Sequence, residues 1–461
     1  MSVRLGEPGR SATTRTAPGS GPPFPYVTGV RAFRGLDGAP AALHLAVAEL
    51  DSVQRELPWS GTRQTFGTSW HSAQEAEVCA RGEAVERRCG DLAPPPGRLL
   101  YASHAQLRRR GVPALDPADL PLYTPRQYAT AGFPFLPFTA DSPVHWVEAR
   151  SLTRDAPVHV PAFLVYSAWR QMPRPRPEPP HVFPPLGGTA AGAGAGQAVA
   201  GALAEIVERD AAALWWAAAQ PLPSLPLPED LRPLLAGARH EVDVRLVHVH
   251  SEFGLPVLAA GVRSRAEGWL TYGFSARSDP YEAAAKALAE AWSLQRTWRL
   301  LDRPDAARAA GGSRFLKPYR ADRRYLDSYR TPTGEVGGFH DQLCGAQLYL
   351  DPRAAERVAP WAWDLPEGRW PAGPGPRGPE ALIAAADAAG FEVIDVDLTS
   401  PEAAAAGLHV HRVIVPGTVQ AAPAAYPMWG PSRVRETPVR LGWRETPLVE
   451  GELNGFPMPH C

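Results

Sequence analysis

One helix-forming stretch, AGQAVAGALAEIVERDAAALWW (195–216), constrains this chain more than any other, because it sets acidic residues into an otherwise apolar helix. Ala and Leu favour the helix, and residues three apart share one of its faces. Glu205 and Glu208 therefore point into the same space, with Arg209 directly after them. A weaker copy of the E-x-x-E-R spacing, CARGEAVERRCG, places Glu83, Glu86 and Arg87. A third helical run, DPYEAAAKALAEAWSLQR, carries Glu290 and Arg296. Three amphipathic helices of this kind gather more negative charge than a protein interior holds without cations, and divalent metal is the simplest counter-ion.

The 461 residues allow two or three average domains, or one large α/β unit of interlocked halves. Hydrophobic residues at 44% and charged residues at 21% are ordinary for a globular chain with a sizeable core. A formal net charge of −1 gives no footing for nucleic acid or an anionic membrane, so binding must come from a local site. Cys79, Cys89, Cys344 and Cys461 form no C-x-x-C pair and are too few for a disulfide framework or a zinc cluster. That fits a reducing compartment. The N-terminal residues lack the apolar core of a signal peptide, and no uncharged apolar run reaches the ~18 residues of a membrane span. A cytoplasmic protein is expected.

Residues 1–26, rich in Ser, Thr, Gly and Pro, read as a flexible tail. Residues 27–461 read as one domain of mixed α/β architecture. It comprises a first half (27–180) with the GEAVER helix, a second half (181–330) with the AEIVERD helix, and a C-terminal α/β unit (331–461). AALHLAVAELDSV is strand-like or a short helix, and GTRQTFGTSW is a Gly/Ser/Thr loop able to bring N–H groups to an anion. The helix over about 72–89 starts at Ser72 as N-cap, with Glu75 three residues on. Short apolar runs over 99–170 predict strands, and the Pro-rich connector 170–185 is predicted to be extended and exposed.

GGTAAGAGAG (187–196) is glycine-dense but lacks the Lys-Ser/Thr ending of a P-loop and follows no obvious strand, so neither nucleotide fingerprint is met. VDVRLVHVHSEFGLPVLAAGV reads as two strands joined by a turn, and Asp279 as the cap of the third helix. Trp215 and Trp216 are expected in the core. His248, His250, His409 and His411 alternate as strand-face residues rather than as a metal set.

Taken together these elements resemble the YcaO superfamily, and within it the azole-forming proteins of peptide natural-product biosynthesis. The resemblance covers nearly the whole chain after about residue 60. It rests on GTSW before GEAVER, GTAAG before ALAEIVERD, SDPYEAAAKALAEA, AGFEV with DVDLTSPE and VHRVIVPG, and the LN-x-x-PMPH terminus, in the family's order. It implies a YcaO-like fold, with mixed sheets and Glu-bearing helices packed around one ATP site, and an ATP- and Mg²⁺-dependent cyclodehydratase. In such enzymes a Cys, Ser or Thr of the substrate peptide attacks the preceding carbonyl, ATP phosphorylates the oxyanion, and phosphate leaves to give a thiazoline or oxazoline. An amide oxygen leaves poorly and a phosphate leaves well, so ATP, metal and peptide must be held in line.

By the same resemblance Glu83, Glu86, Glu205 and Glu208 are Mg²⁺ and triphosphate ligands, Arg209 and Ser69 contact phosphate, and Glu290 completes the nucleotide site. Arg87 reads equally as a structural ion-pair partner. Pro457, Pro459 and the thiol of Cys461 belong to a tail placed near the chemistry. The implied partners are a ribosomally made precursor peptide, a separate E1-like leader-binding protein and a flavin dehydrogenase acting later, with a homodimer left open.

The chain departs from the family at four positions. Ser-Asn ahead of Gly-x-Ala-Ala-Gly becomes Leu186-Gly187, and the Asn and Glu beyond it become Ala193 and Gln197. The alternating proline run also shortens to Pro457 and Pro459. Thioamide or macroamidine formation, or a catalytically silent subunit of a peptide-modifying complex, are the alternatives, and the intact Glu205, Glu208 and Arg209 oppose silence. On this reading, loss of the last five residues lowers cyclisation and spares nucleotide binding.

Overall fold

Two glycine contacts set how the helices meet the sheets. The computed structural model describes residues 24, 26–33, 39–51, 62–94, 97–172, 174, 176–184, 187–235, 238, 241–306, 315–331 and 335–460. The tail expected at 1–26 falls almost wholly outside the described residues, as do Leu186 and Cys461. β1 (Val27–Phe33), β2 (His44–Leu50) and β3 (Gln64–Ser69) form an antiparallel sheet on which α1 (Ala73–Gly90) packs. Ser72 caps α1 by accepting from the Glu75 N–H at 3.1 Å. A Cβ at Gly67 would stand 2.1 Å from the Ala76 carbonyl oxygen, so only glycine lets the helix lie on the strand. Beside it the Thr65 hydroxyl donates to the Ala80 carbonyl at 2.7 Å.

The chain continues through β4 (Leu100–Ala102), β5 (Val144–Ser151), β6 (Ala156–Pro161) and β7 (Thr189–Gly192) into α2 (Ala195–Ala218). α2 is the helix expected from AEIVERD, and it buries Trp215 and Trp216 in the core. After β8 (Ser224–Leu225), the strands β9 (Val242–Val249), β10 (Val257–Ser264) and β11 (Leu270–Ala276) lead into α3 (Pro280–Leu301). This unit repeats the first one. A Cβ at Gly273 would stand 2.2 Å from the Ala287 carbonyl oxygen, and the Thr271 hydroxyl donates to the Ala291 carbonyl at 2.9 Å. The structural repeat is therefore a Thr-x-Gly-x-Ser strand with its helix, which relates α1 to α3, whereas the E-x-x-E-R spacing relates α1 to α2.

β12 (Ile394–Asp397) and β13 (His409–Ile414) sit between β5 and β7 in a six-stranded sheet of order β4-β5-β12-β13-β7, with β6 paired to β5. One sheet thus takes strands from all three stretches, 27–180, 181–330 and 331–461. Val410 of β13 packs with Val85 of α1, and Val413 packs in the core that α2 lines, on opposite faces of the strand. Asp210, next in line after Arg209, is spent on the fold. Its carboxylate accepts from Arg433 of α4 (Arg433–Arg440) at 3.0 and 2.5 Å and from the Val419 N–H at 2.8 Å.

Two details differ from the sequence reading. The Pro-rich connector is exposed at Arg170, Gln171, Arg176, Pro177 and Pro179, as expected, but it is also pinned: the Glu178 side chain is buried and accepts from the His145 N–H at 2.8 Å, from His145 Nδ1–H at 3.0 Å and from the Trp169 indole. His411 does more than pack on a strand face, since its Nδ1 meets the Asp395 carboxylate at 2.9 Å. Among the described residues no helix is long and apolar enough to cross a membrane.

Gly67→Ala and Gly273→Ala are each expected to cost about 3 kcal/mol through the forced separation of strand and helix. Gly82→Ala, with nothing within 4 Å of its added methyl, is expected to be neutral or stabilising. Thermal unfolding of the three variants checks the contrast.

Candidate functional site

The three long helices converge through their carboxylates, and each carboxylate is fixed by a backbone N–H or a neighbouring arginine. On α1, Glu83 takes Arg87 one turn on, at 2.7 Å to Nε and 2.6 Å to Nη2, so Arg87 is the ion-pair partner that the sequence allowed. Glu86, on the same face, accepts from the Ala191 N–H of β7 at 2.9 Å. On α2, Glu205 accepts from the Gly188 N–H at 2.7 Å, and Glu208 from the Ala276 N–H at the end of β11 at 3.2 Å. Arg209 lies 3.6 Å from each of them. On α3, Glu290 accepts from the Phe274 N–H at 3.1 Å.

Crowding shows in the proton affinities. Burial, then Glu83 and Glu205, push Glu86 well above the usual carboxylate range. Burial pushes Glu208 up to about 8, with Glu290 and Glu205 adding to it against Arg209. Burial also works against Glu83, but Arg87 outweighs it and holds that carboxyl below its ordinary value. Arg209 is held charged because Glu208, Glu205 and Glu290 overcome its own desolvation. Two acids with raised proton affinity beside three others mark a site short of positive charge.

Ser69 stands apart from this set. Its hydroxyl donates to Glu75 at 2.6 Å and accepts from the His71 N–H at 2.9 Å, so it closes the entry to α1 instead of presenting a free hydroxyl to phosphate. Pro457 and Pro459 contribute carbonyls: Pro457 accepts from the Tyr349 hydroxyl and Pro459 from the Tyr272 N–H, both at 2.7 Å. Neither proline side chain carries a group able to move a proton. Cys461 lies outside the described residues.

Sequence reasoning missed three contributors. Lys286, one turn before Glu290 on α3, donates to the Thr68 hydroxyl at 3.2 Å and acts on Glu83; its four-residue spacing from Glu290 was a usable signal. Arg412, fully buried, donates to the Gly187 carbonyl at 2.6 Å and to the Thr189 hydroxyl at 3.1 Å, holding the strand that docks on Glu205. His460 is the third. Its Nδ1–H donates to the Tyr272 carbonyl at 3.0 Å, which leaves the Nε2 lone pair to accept from the Arg209 guanidinium. Burial and the Arg209 cation lower its pKa to about 4, so the ring is neutral at physiological pH and can keep that role.

Two of the departures in sequence also find places. Gln197, in the first turn of α2, accepts from the Ala193 N–H at 2.9 Å and so ties the loop just ahead of the helix to it. A side chain at Gly187 would meet the Glu205 carboxyl at 3.2 Å, so glycine there lets the loop lie close.

A family model described as YcaO cyclodehydratase, ATP- and Mg²⁺-binding, matches residues 70–419, three quarters of the chain. The chain belongs to the YcaO family. No curated protein matches it in sequence. Among solved structures, "Heterocyclase in complex with substrate and Cofactor" superposes with a TM-score of 0.62 at 23% identity over 94% of this chain and 55% of its own. This YcaO chain thus spans little more than half the length of that heterocyclase. YcaO from Methanopyrus kandleri bound with AMPPCP and Mg²⁺ gives 0.52 at 22% identity, covering 85% of this chain and 86% of its own. The E. coli microcin synthetase McbBCD complex with pro-MccB17 bound gives 0.52 at 11% identity, covering 88% and 91%. Likeness at these identities establishes the fold.

ATP and Mg²⁺ are the ligands of the family, and the donor set fits them. Among the described residues no three His, Cys, Asp or Glu side chains form a ready-made metal cage. Mg²⁺, however, takes one or two carboxylates and completes its shell with water and substrate phosphates. Glu86 and Glu208, whose proton affinities burial and neighbouring acids raise, are the groups whose charged form a divalent cation would favour.

A pH dependence follows. Glu208 titrates near 8 in the fold against an ordinary 4.5, so its contribution to the stability of the metal-free protein is full below about 4.5 and lost as pH rises to about 8. Binding of Mg-ATP should therefore release protons below that point and tighten with pH until about 8. Calorimetry in buffers of different ionisation heat reads the proton count directly, and a zero count would reject the assignment. His460→Ala should weaken Mg-ATP binding about tenfold through the loss of one charge-assisted hydrogen bond. Removal of the last five residues should accordingly impair nucleotide binding as well as cyclisation, contrary to the sequence expectation.

Proposed function

We propose that this chain is an ATP-dependent peptide cyclodehydratase that forms azoline rings from Cys, Ser or Thr residues of a ribosomally made precursor. One observation carries the reading: carboxylates from three helices crowd together, held by the Ala191, Gly188, Ala276 and Phe274 N–H groups, and burial with one another's charge raises the proton affinity of Glu86 and Glu208, as suits an ATP and Mg²⁺ site. When bound, ATP with Mg²⁺ supplies the phosphoryl group that makes the amide oxygen a leaving group. Glu83, Glu86, Glu205 and Glu208 hold the cation, and Glu290 fixes the end of β11 next to them. Arg209 presents its guanidinium to phosphate, with His460 accepting from one edge and setting its direction. Lys286 adds a positive point charge on the opposite helix.

The substrate is a precursor peptide delivered by a separate leader-binding partner, and a flavin dehydrogenase acts on the azoline later. Support for peptide and partner comes from likeness to a synthetase complex whose solved structure has pro-MccB17 bound. The complete carboxylate set speaks against a silent subunit, because uncompensated buried acids cost stability and a scaffold gains nothing from them.

Glu205→Gln or Glu208→Gln should reduce ATP turnover by about a hundredfold or more while leaving the thermal midpoint within a few degrees. The check is phosphate release from Mg-ATP, with and without precursor and partner, read beside the mass of the peptide. Peptide-dependent release with loss of one water per ring supports cyclodehydration. Turnover unchanged in the Gln variants would remove the metal-ligand role.

A further inference from the structure

The connector between β6 and β7 forms a second feature, away from the carboxylates. Glu178 is buried at its centre, held by His145 and the Trp169 indole. Two bonds to Leu136 fix its far side: the Leu136 N–H donates to the Pro180 carbonyl at 2.9 Å, and the His181 ring Nδ1–H donates to the Leu136 carbonyl at 2.9 Å. Around this hub lies a cavity of about 170 Å³, walled by Trp169, Pro179 and His181 and flanked by Arg170 and Arg174.

The arginines here have an unusual set of neighbours. The guanidinium of Arg170 lies 6.0 Å from the Phe135 ring, that of Arg174 lies 5.5 Å from Trp169, and that of Arg176 lies 5.1 Å from Tyr101. The buried Glu178 carboxylate pairs with His145 instead of with any of them, and among the described residues none of the three arginines has a carboxylate within ion-pair distance. Arg170 and Arg176 are exposed. Tyr101, His145 and Trp169 continue as a row of rings 4.8 and 5.5 Å apart. Each guanidinium lies against an aromatic ring, and one Nη of Arg174 also donates to the Trp169 carbonyl at 2.6 Å; the remaining edge donors make an arrangement suited to carboxylates. The same connector ends in Gly187 and Gly188, packed on Glu205.

We propose that this cleft, together with the adjoining surface where Arg176 lies over Tyr101, binds an acidic, extended segment of the peptide substrate, whose Asp or Glu side chains pair with Arg170, Arg174 and Arg176 while its apolar atoms lie on the proline and aromatic walls. A chain with a net charge of −1 has no general attraction for acidic peptide, so three arginines without acidic partners on one segment give the cleft its selectivity. The proposal rests on the substrate being a peptide, and it gives that substrate a track leading along the connector towards the carboxylate site.

The test is fluorescence anisotropy with the full-length chain and a fluorescein-labelled Glu-Pro-Glu-Pro-Glu-Pro-Glu peptide, compared with its Gln-Pro counterpart. The expected result is binding of the Glu peptide at least about tenfold tighter than the Gln peptide, a preference that shrinks at high salt. R170E/R176E should remove that preference, and R170Q/R176Q gives the same comparison if the charge reversal lowers the thermal midpoint. Equal binding of the two peptides, or an unchanged preference in the double variants, overturns the proposal. Mg-ATP titration of the wild-type chain separates the two readings: its failure counts against cyclodehydration, while the peptide data alone decide the cleft.

Discussion

Like charges brought together in a protein interior must be neutralised, protonated or solvated, and this fold is arranged around that requirement. Five glutamates from α1, α2 and α3 meet under the edges of two sheets. Arg87, Arg209 and Lys286 answer part of the charge, and the raised proton affinity of Glu86 and Glu208 reflects the rest. Nearly every other feature of the site keeps those acids in place. Gly67 and Gly273 let α1 and α3 sit directly on their strands, Arg412 holds the strand that meets Glu205, and Asp210 with Arg433 anchors α2 from its other side.

The tail adds a second layer to the same arrangement. Its carbonyls take the Tyr349 hydroxyl, the Trp216 indole and the free edge of β11 at Tyr272. Proline suits this path, since a residue without an N–H leaves no orphan donor while its carbonyl still accepts. At the end of that path His460 reaches Arg209 as a neutral acceptor.

What could be read from sequence follows the range of the interaction concerned. Helix spacing, the Ser72 and Asp279 caps and the pairing of Glu83 with Arg87 depend on neighbours within a turn, and all of these were legible. The meeting of α1, α2 and α3 was legible indirectly, because isolated acidic stripes in apolar helices need each other's counter-ions. Hidden were the bonds that close long loops. His460 lies 251 positions from Arg209, a separation that no local spacing bridges. The bond from the Ser69 hydroxyl to Glu75 spans the strand–helix junction, which helix spacing alone does not show. Glu178 lay in a proline run whose composition suggests exposure, and only the fold brings His145 to it.

The position of β12 and β13 has a kinetic meaning. They separate β5 from β7, so the sheet that docks α1 and α2 pairs residues 150–151 with 394–395. Closing such a loop costs entropy before any contact rewards it, and chains dominated by distant pairings fold slowly. The three stretches therefore cannot mature one after another. Until the late strands arrive, the acidic helices lack the platform that holds them together, and the nucleotide helix cannot be excised as a small autonomous module.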